Sequence, residues 1–226
     1  MRGFGLQCWL VLRKDLLQEW RTRARFAAVA GFGVTTLLLF SFAAGPDTAV
    51  MRAHAAGYLW LALMMMSTLA LGESFRVEAQ NGALEGLLLL GVDPRAVYLG
   101  KALSNWIVLA ALGLVCVPFI VVLYDASVTM GLPTLLGVIV AGTAGISAPG
   151  TLYAALSARA RGRDVMLPLL LFPLVVPALV SAVKATELTL TGDPLEQLGG
   201  WTGLLIAFNL VYWPVCGLLF GRVVED

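Results

Sequence analysis

Residues 102–123 read ALSNWIVLAALGLVCVPFIVVL, a run of twenty-two residues without a charged side chain. An α-helix rises about 1.5 Å per residue, so this run reaches about 33 Å as a helix. That length crosses the hydrocarbon core of a bilayer, and lipid offers no hydrogen-bond partners to an open backbone. The run therefore predicts a membrane-spanning helix.

Five other stretches of the chain have the same character. The six predicted spans cover residues 26–44, 55–72, 102–123, 131–157, 165–183 and 201–221. They occupy more than half of the 226 residues. We therefore predict one all-α integral membrane domain over residues 1–226, with six transmembrane helices.

The overall composition supports this class. Hydrophobic residues make up 59% and charged residues only 13% of the chain, whereas soluble domains carry about 25% charged residues. The composition excludes both a soluble domain and a disordered chain. The 15 Lys and Arg residues are balanced by 14 Asp and Glu residues, so no basic excess points to a nucleic-acid partner.

The distribution of basic residues predicts the orientation of the spans. Thirteen of the 15 Lys and Arg residues fall in the N-terminal segment, the second and fourth connections and the C-terminal tail, and only Arg52 and Lys184 fall elsewhere. Cytoplasmic segments of membrane proteins are enriched in Lys and Arg. Both termini are therefore predicted to be cytoplasmic.

The N-terminal segment, residues 1–25, has an amphipathic pattern. An apolar stripe recurs at every fourth residue, through Phe4, Cys8, Leu12, Leu16 and Trp20. This spacing is typical of a helix that lies in the headgroup layer, with Trp9 and Trp20 as anchors. A basic leader that only sets the topology is the alternative.

The second connection, residues 73–101, is the longest predicted cytoplasmic loop. Its first half mixes charged residues with regularly placed apolar ones, which favours a short helix along the membrane surface. Gly91-Val92-Asp93-Pro94 is a turn signal, and Pro94 suits the first turn of the next helix. The surface helix would suit docking to a cytoplasmic partner, and a solvated connector without a partner is the alternative.

The spans offer little chemistry of their own. The predicted spans contain no ionisable residue, and one histidine, His54, cannot build a multi-histidine metal site. We expect no enzyme activity and no cofactor or metal in this chain. His54 is expected to be solvated at the membrane interface, and Tyr58 and Trp60 to belong to the interfacial aromatic belt.

Proline recurs in the later spans. The residues of interest are Pro149, Pro168, Pro173 and Pro177. Proline removes a backbone hydrogen bond and kinks a helix, so the fifth span is expected to be bent or broken. These prolines would act as a hinge or line a substrate path, or they simply reflect the higher proline content of membrane helices.

One motif links the chain to a known family. The pattern E-x-F-R-x-(D/E)-x-x-x-G-x-L-(E/D)-x-L, with a lysine farther along the chain, is met by Glu73, Phe75, Arg76, Glu78, Gly82, Leu84, Glu85, Leu87 and then Lys101. This pattern resembles the signature of the haem exporter protein B (CcmB) family of bacterial cytochrome c maturation. Further similar stretches are Gly45-Pro46-Asp47 and Ala148-Pro149-Gly150.

The resemblance implies a function. Members of this family are membrane subunits of an ABC transporter in the bacterial inner membrane, and a separate ATPase subunit binds ATP and Mg²⁺. The partners implied are this ATPase, a second copy of the chain, a tryptophan-rich haem-handling membrane protein and a haem chaperone. Haem would belong to the complex, with no haem-binding residue assigned here. The coupling helix that docks on the ATPase would comprise Glu73, Phe75, Arg76, Glu78, Gly82, Leu84 and Glu85.

Such a transporter would use ATP hydrolysis either to export haem or to release haem-loaded chaperone, and the sequence does not decide between the two. An ABC-2 type permease for another lipid-linked or hydrophobic substrate has the same topology. A membrane scaffold or an intramembrane enzyme is a third hypothesis, which the lack of ionisable residues in the predicted spans disfavours.

Overall fold

A computed structural model describes residues 3–81, 91–159 and 163–225. Within these ranges the chain is helical. The helices are α1 (Phe4–Arg21), α2 (Arg23–Ala44), α3 (Thr48–Asn81), α4 (Pro94–Leu123), α5 (Leu132–Arg159), α6 (Arg163–Thr191) and α7 (Leu198–Glu225). The last six, α2–α7, are long and apolar enough to cross a membrane. The prediction of an all-α membrane protein with six spans is confirmed.

Helix α5 lies at the centre of the bundle and contacts α3, α4, α6 and α7. Glycines on α5 allow α3 to approach closely. A Cβ atom on Gly142 would lie 2.2 Å from the ring of Trp60, and one on Gly150 would lie 2.5 Å from Leu71. The small residues therefore seat large α3 side chains against the α5 backbone, a common way to pack membrane helices.

Trp60 belongs to this core, and its predicted place in the interfacial belt is wrong. The side chain is 1% exposed, and its Nε1–H donates a hydrogen bond of 2.8 Å to Oγ1 of Thr186 on α6. The physical reason is that α3 begins at Thr48, which places Trp60 about three turns inside the helix. His54 is exposed as predicted, and its ring stacks on Tyr58.

Helix α3 is longer than a bilayer requires. Its 34 residues span about 51 Å, which exceeds the hydrocarbon core of about 30 Å. The predicted separate surface helix starting at Glu73 is not present in residues 73–81, which continue α3. The predicted start of α4 is confirmed, because Asp93 caps the helix by accepting the backbone N–H of Arg95 at 2.8 Å and Pro94 follows.

Helix α6 contains Pro168, Pro173 and Pro177 without an interruption, so the fifth span is not broken, and the bend that was predicted as the other possibility stays a prediction. Each proline removes only one backbone hydrogen bond, and neighbouring helices and hydroxyl side chains support the rest of the helix. Ser181, for example, donates a hydrogen bond of 2.7 Å to the carbonyl oxygen of Pro177. The helix extends to Thr191, which shortens the predicted connection 184–200 to residues 192–197.

The end of the bundle opposite α1 is joined by polar contacts. Arg52 forms an ion pair with Asp125, and its Nε–H also donates to the Asp125 carbonyl oxygen at 2.8 Å. The buried Tyr124 hydroxyl donates to the carbonyl oxygen of Leu37 at 2.6 Å. These contacts link the ends of α2, α3 and α4 there.

Candidate functional site

Three elements meet at the basic end of the bundle, defined as the end where α1, the start of α4 and the end of α7 lie together. Helix α1 packs directly along α4. A Cβ atom on Gly100 would lie 2.7 Å from the carbonyl oxygen of Cys8 and 2.8 Å from the Val11 side chain. The Asp93 backbone N–H donates to the side chain of Gln7 at 3.1 Å. Helix α1 is therefore an integral part of the fold.

The face of α1 that meets the protein differs from the predicted stripe. Val11 is buried, whereas Phe4 is exposed and Trp20 is 68% exposed. The burial of Cys8 raises the pKa of its thiol above the ordinary value. The stripe was only partly correct because the sequence pattern cannot separate apolar residues that face lipid from those that face α4.

Lys101 is the central residue of the basic end. It lies about two turns inside α4 and its side chain is 2% exposed. Its Nζ donates to Oδ2 of Asp15 on α1 at 3.0 Å and to the Ser74 carbonyl oxygen on α3 at 3.2 Å. The Lys101 ammonium also lies 4.8 Å from the centroid of the Phe75 ring, a cation–π distance. One buried cation thus joins α1, α3 and α4.

The sequence analysis named Lys101 at the end of the family motif but gave it no structural role. Lys101 lies one position before the predicted span 102–123 and was assigned to the loop, so the predicted lack of ionisable residues in the membrane helices does not hold for α4. A buried ammonium is costly unless it is paired. The signal that was available is Asp15, an acidic residue among the basic residues of α1.

An aromatic cluster lies next to Lys101. Phe75 is 2% exposed, and its ring centroid is 6.3 Å from that of Phe220 on α7. The Tyr98 ring packs on Phe220 at 5.5 Å, and the Tyr98 hydroxyl donates to the Ala148 carbonyl oxygen on α5 at 3.0 Å. The end of α3 is therefore tied to α4, α5 and α7.

A polar cavity of about 30 Å³ lies between α1, α3 and α4. Lys101, Asp15 and the half-buried Glu19 are among the residues that line it, and Glu19 forms an ion pair with Arg25. Asn105, on the same wall, donates to Oγ1 of Thr151 at 2.9 Å. A cavity of this size and polarity accommodates a water molecule. The ion pairs around it show that α1 is held by polar contacts as well as by packing.

The structure places only part of the predicted coupling helix. Glu73 is half-buried and Phe75 is buried, both on α3. The backbone at Arg76 and Glu78 continues α3, whereas their side chains lie outside the described part of the structure. Gly82, Leu84 and Glu85 lie outside the described residues altogether.

The predicted prolines do not form one surface. Pro149 is buried in α5, Pro168 is half-buried, and Pro173 and Pro177 are exposed on α6. Burial therefore separates Pro149 from Pro173 and Pro177, which lie one turn apart on the exposed face of α6, and their role as a hinge or path stays a prediction. In the residues that the structure describes, no group of three or more His, Cys, Asp or Glu side chains is placed to hold a metal ion.

Comparison with known proteins gives a consistent result over nearly the whole chain. The family described as CcmB protein matches residues 6–224. The relative from Shigella flexneri, named Heme exporter protein B, is 32% identical over 215 residues, which cover 88% of this chain and 90% of the relative. Proteins of the same name from Rhodobacter capsulatus and Pseudomonas aeruginosa are 28% and 27% identical, covering 87% and 91% of this chain and 92% of each relative. The chain belongs to the CcmB protein family.

Proposed function

We propose that the protein is the membrane subunit of an ATP-driven haem exporter that serves c-type cytochrome maturation. Its relatives carry the name Heme exporter protein B, and six helices suited to a membrane support a transport role. The concentration of Lys and Arg at the basic end supports a position in the bacterial inner membrane with that end, and both termini, in the cytoplasm.

The observation that carries the proposal is the junction around Lys101. Helix α3 runs from the bundle to Asn81 without a break, and the Lys101 contacts to Asp15 and Ser74 hold its end against α1 and α4. A force applied to residues 82–90 would therefore act on three helices together. This is the mechanical property that a transport subunit needs where it receives work from a partner.

The partner that we propose is a separate ATPase subunit, which binds ATP and Mg²⁺ and docks on the connection between α3 and α4. Glu78, Leu84 and Glu85 would supply contacts to it. Phe75 would act from inside, because its buried ring supports the end of α3. Two copies of the chain would pair with two ATPase subunits, so that closure of the ATPases moves both copies.

The energy of ATP hydrolysis would be used to move haem or haem-loaded chaperone. The complex would include a tryptophan-rich haem-handling membrane protein and a haem chaperone, and ATP hydrolysis would drive either haem export or the release of haem-loaded chaperone. This chain would contribute movement, and no residue in it is assigned to bind haem.

A co-purification experiment tests the ATPase contact. Glu78→Lys and Glu85→Lys, singly and together, are expected to reduce the ATPase recovered with the tagged protein from native membranes, because charge reversal opposes docking. Glu196→Lys is the matched control, since Glu196 is exposed at the opposite end of the bundle. Undiminished recovery with the double variant, at equal membrane insertion, would overturn the docking site.

A further inference from the structure

A second cleft lies at the basic end, between the start of α4 and the end of α7. It has a volume of about 250 Å³ and is lined by Asp93, Pro94, Arg95, Leu218, Gly221 and Arg222. Gly221 leaves the α7 backbone open to the cleft, and a Cβ atom there would lie 3.8 Å from Cγ of Arg95. The Arg95 stem thus lies across α7 at the glycine.

The charge of the cleft is positive. Arg95 and Arg222 are both exposed, and neither guanidinium forms an ion pair with a carboxylate among the side chains that the structure describes. Among the lining residues that the structure describes, the one carboxylate is that of Asp93, which already accepts the Arg95 backbone N–H at 2.8 Å. Guanidinium groups match phosphate oxygens in geometry and charge.

An apolar surface continues from this cleft along α7. Leu218, Val215 and Val211 are exposed, Leu218 by 54%. Their spacing of three and four residues places them on one face of the helix. In a bilayer this face meets acyl chains, with the two arginines at its headgroup end.

We propose that the cleft binds the phosphate of an anionic phospholipid, whose acyl chain lies along Leu218, Val215 and Val211. The apolar face favours a lipid over an acidic protein segment, which would match the arginines but not the surface beneath them. The site does not depend on the proposed transport role, because it needs only that α7 spans the membrane.

Lipid retention by the full-length protein in detergent tests the site. The protein is incubated with phosphatidylglycerol or phosphatidylcholine of identical acyl chains, and bound lipid is measured by native mass spectrometry. Each basic residue near a membrane surface contributes about 1 kcal/mol toward anionic lipid, which is a factor of about five in retention. Arg95→Gln with Arg222→Gln should abolish the preference for phosphatidylglycerol, and either single variant should reduce it about fivefold.

Arg13→Gln is the matched control, because Arg13 is an exposed α1 arginine outside the cleft, and it should leave the preference unchanged. A wild-type protein without the preference, or a double variant that keeps it, would overturn the proposal. If inorganic phosphate displaces phosphatidylglycerol as well as excess phosphatidylglycerol does, the site is one for free phosphate and the lipid assignment fails. Loss of ATPase co-purification in a double variant whose lipid retention is unchanged would assign the cleft to protein docking instead.

Discussion

The Nζ atom of Lys101 lies 3.0 Å from Oδ2 of Asp15, although 86 residues separate them in the chain. The pair joins α1, which precedes the first membrane helix, to α4, the helix that follows the connection after α3. Lys101 is buried and the Asp15 side chain is nearly so. The N-terminal segment is therefore a structural partner of the transmembrane bundle.

Removing one member of this pair should destabilise the protein. Asp15→Ala removes the carboxylate that accepts a hydrogen bond from the buried Lys101 ammonium, and loss of a hydrogen bond to a charged group costs about 1.5–3 kcal/mol. The free energy of unfolding, measured by SDS titration in mixed micelles, is expected to fall by that amount. Asp15→Leu combined with Lys101→Met should recover part of the loss, since apolar side chains then replace this buried ion pair. Equal losses in the single and double variants would contradict a buried ion pair.

The same double variant distinguishes an effect on protein stability from an effect on the transmission of movement from the ATPase to the membrane helices. We expect Asp15→Leu with Lys101→Met to insert and to bind the ATPase, because residues 82–90 are unchanged. The yield of c-type cytochromes should nevertheless fall several-fold, because the Lys101–Asp15 contact no longer ties α1 to the interior of α4. Haem staining of membrane fractions measures this yield. A full yield at a normal protein level would contradict a role for the pair in coupling.

The contact between Gly142 and Trp60 predicts that position 142 tolerates no side chain larger than that of glycine. Gly142→Ala places a Cβ atom 2.2 Å from the Trp60 ring, and overpacking of this kind costs about 1–3 kcal/mol. Gly137→Ala is the control on the same helix, since nothing lies within 4 Å of its Cβ position. Thermal unfolding in detergent should show a lower Tm for the first variant and an equal or higher Tm for the second. Equal Tm values for the two would contradict the close approach of α3 and α5.

The orientation can be tested with single cysteines in a background in which Cys8, Cys116 and Cys216 are replaced by Ala. Ser127→Cys is exposed between α4 and α5, and Arg13→Cys is exposed on α1. A membrane-impermeant maleimide should label the first from the outside of spheroplasts and the second only after permeabilisation. The reverse pattern would contradict the cytoplasmic location of the basic end.

Hydropathy was sufficient to predict the six membrane helices, because length and apolar content are properties of each segment alone. It could not predict which face of a helix meets lipid and which meets protein, since lipid tails are as apolar as a protein core. Trp60 shows the consequence: an amphipathic ring near the end of an apolar run suits an interfacial belt, yet it packs on Gly142 and hydrogen-bonds Thr186.

The sequence drew attention to the end of α3, but it did not predict the contacts that Lys101 and Phe75 make there. The motif around Glu73 and Phe75 pointed to the end of α3, and the structure brings Phe75 close to Lys101 on α4. The role of Lys101 depends on its contact with Asp15, and a pairing between residues so distant in the chain leaves no local pattern. Phe75 was expected on a docking surface and lies inside, because α3 continues to Asn81 and its Phe75 ring packs on Phe220 of α7.

The c-type cytochrome content of a strain that lacks this chain tests most directly whether the chain transmits ATPase work to haem export, as proposed. Deletion is expected to abolish haem-containing c-type cytochromes, and plasmid-borne wild-type protein is expected to restore them. The same loss is expected when the P-loop lysine of the co-purifying ATPase is replaced, with this chain present at normal level. Normal c-type cytochromes in the deletion strain would contradict the claim and favour a permease for another hydrophobic substrate.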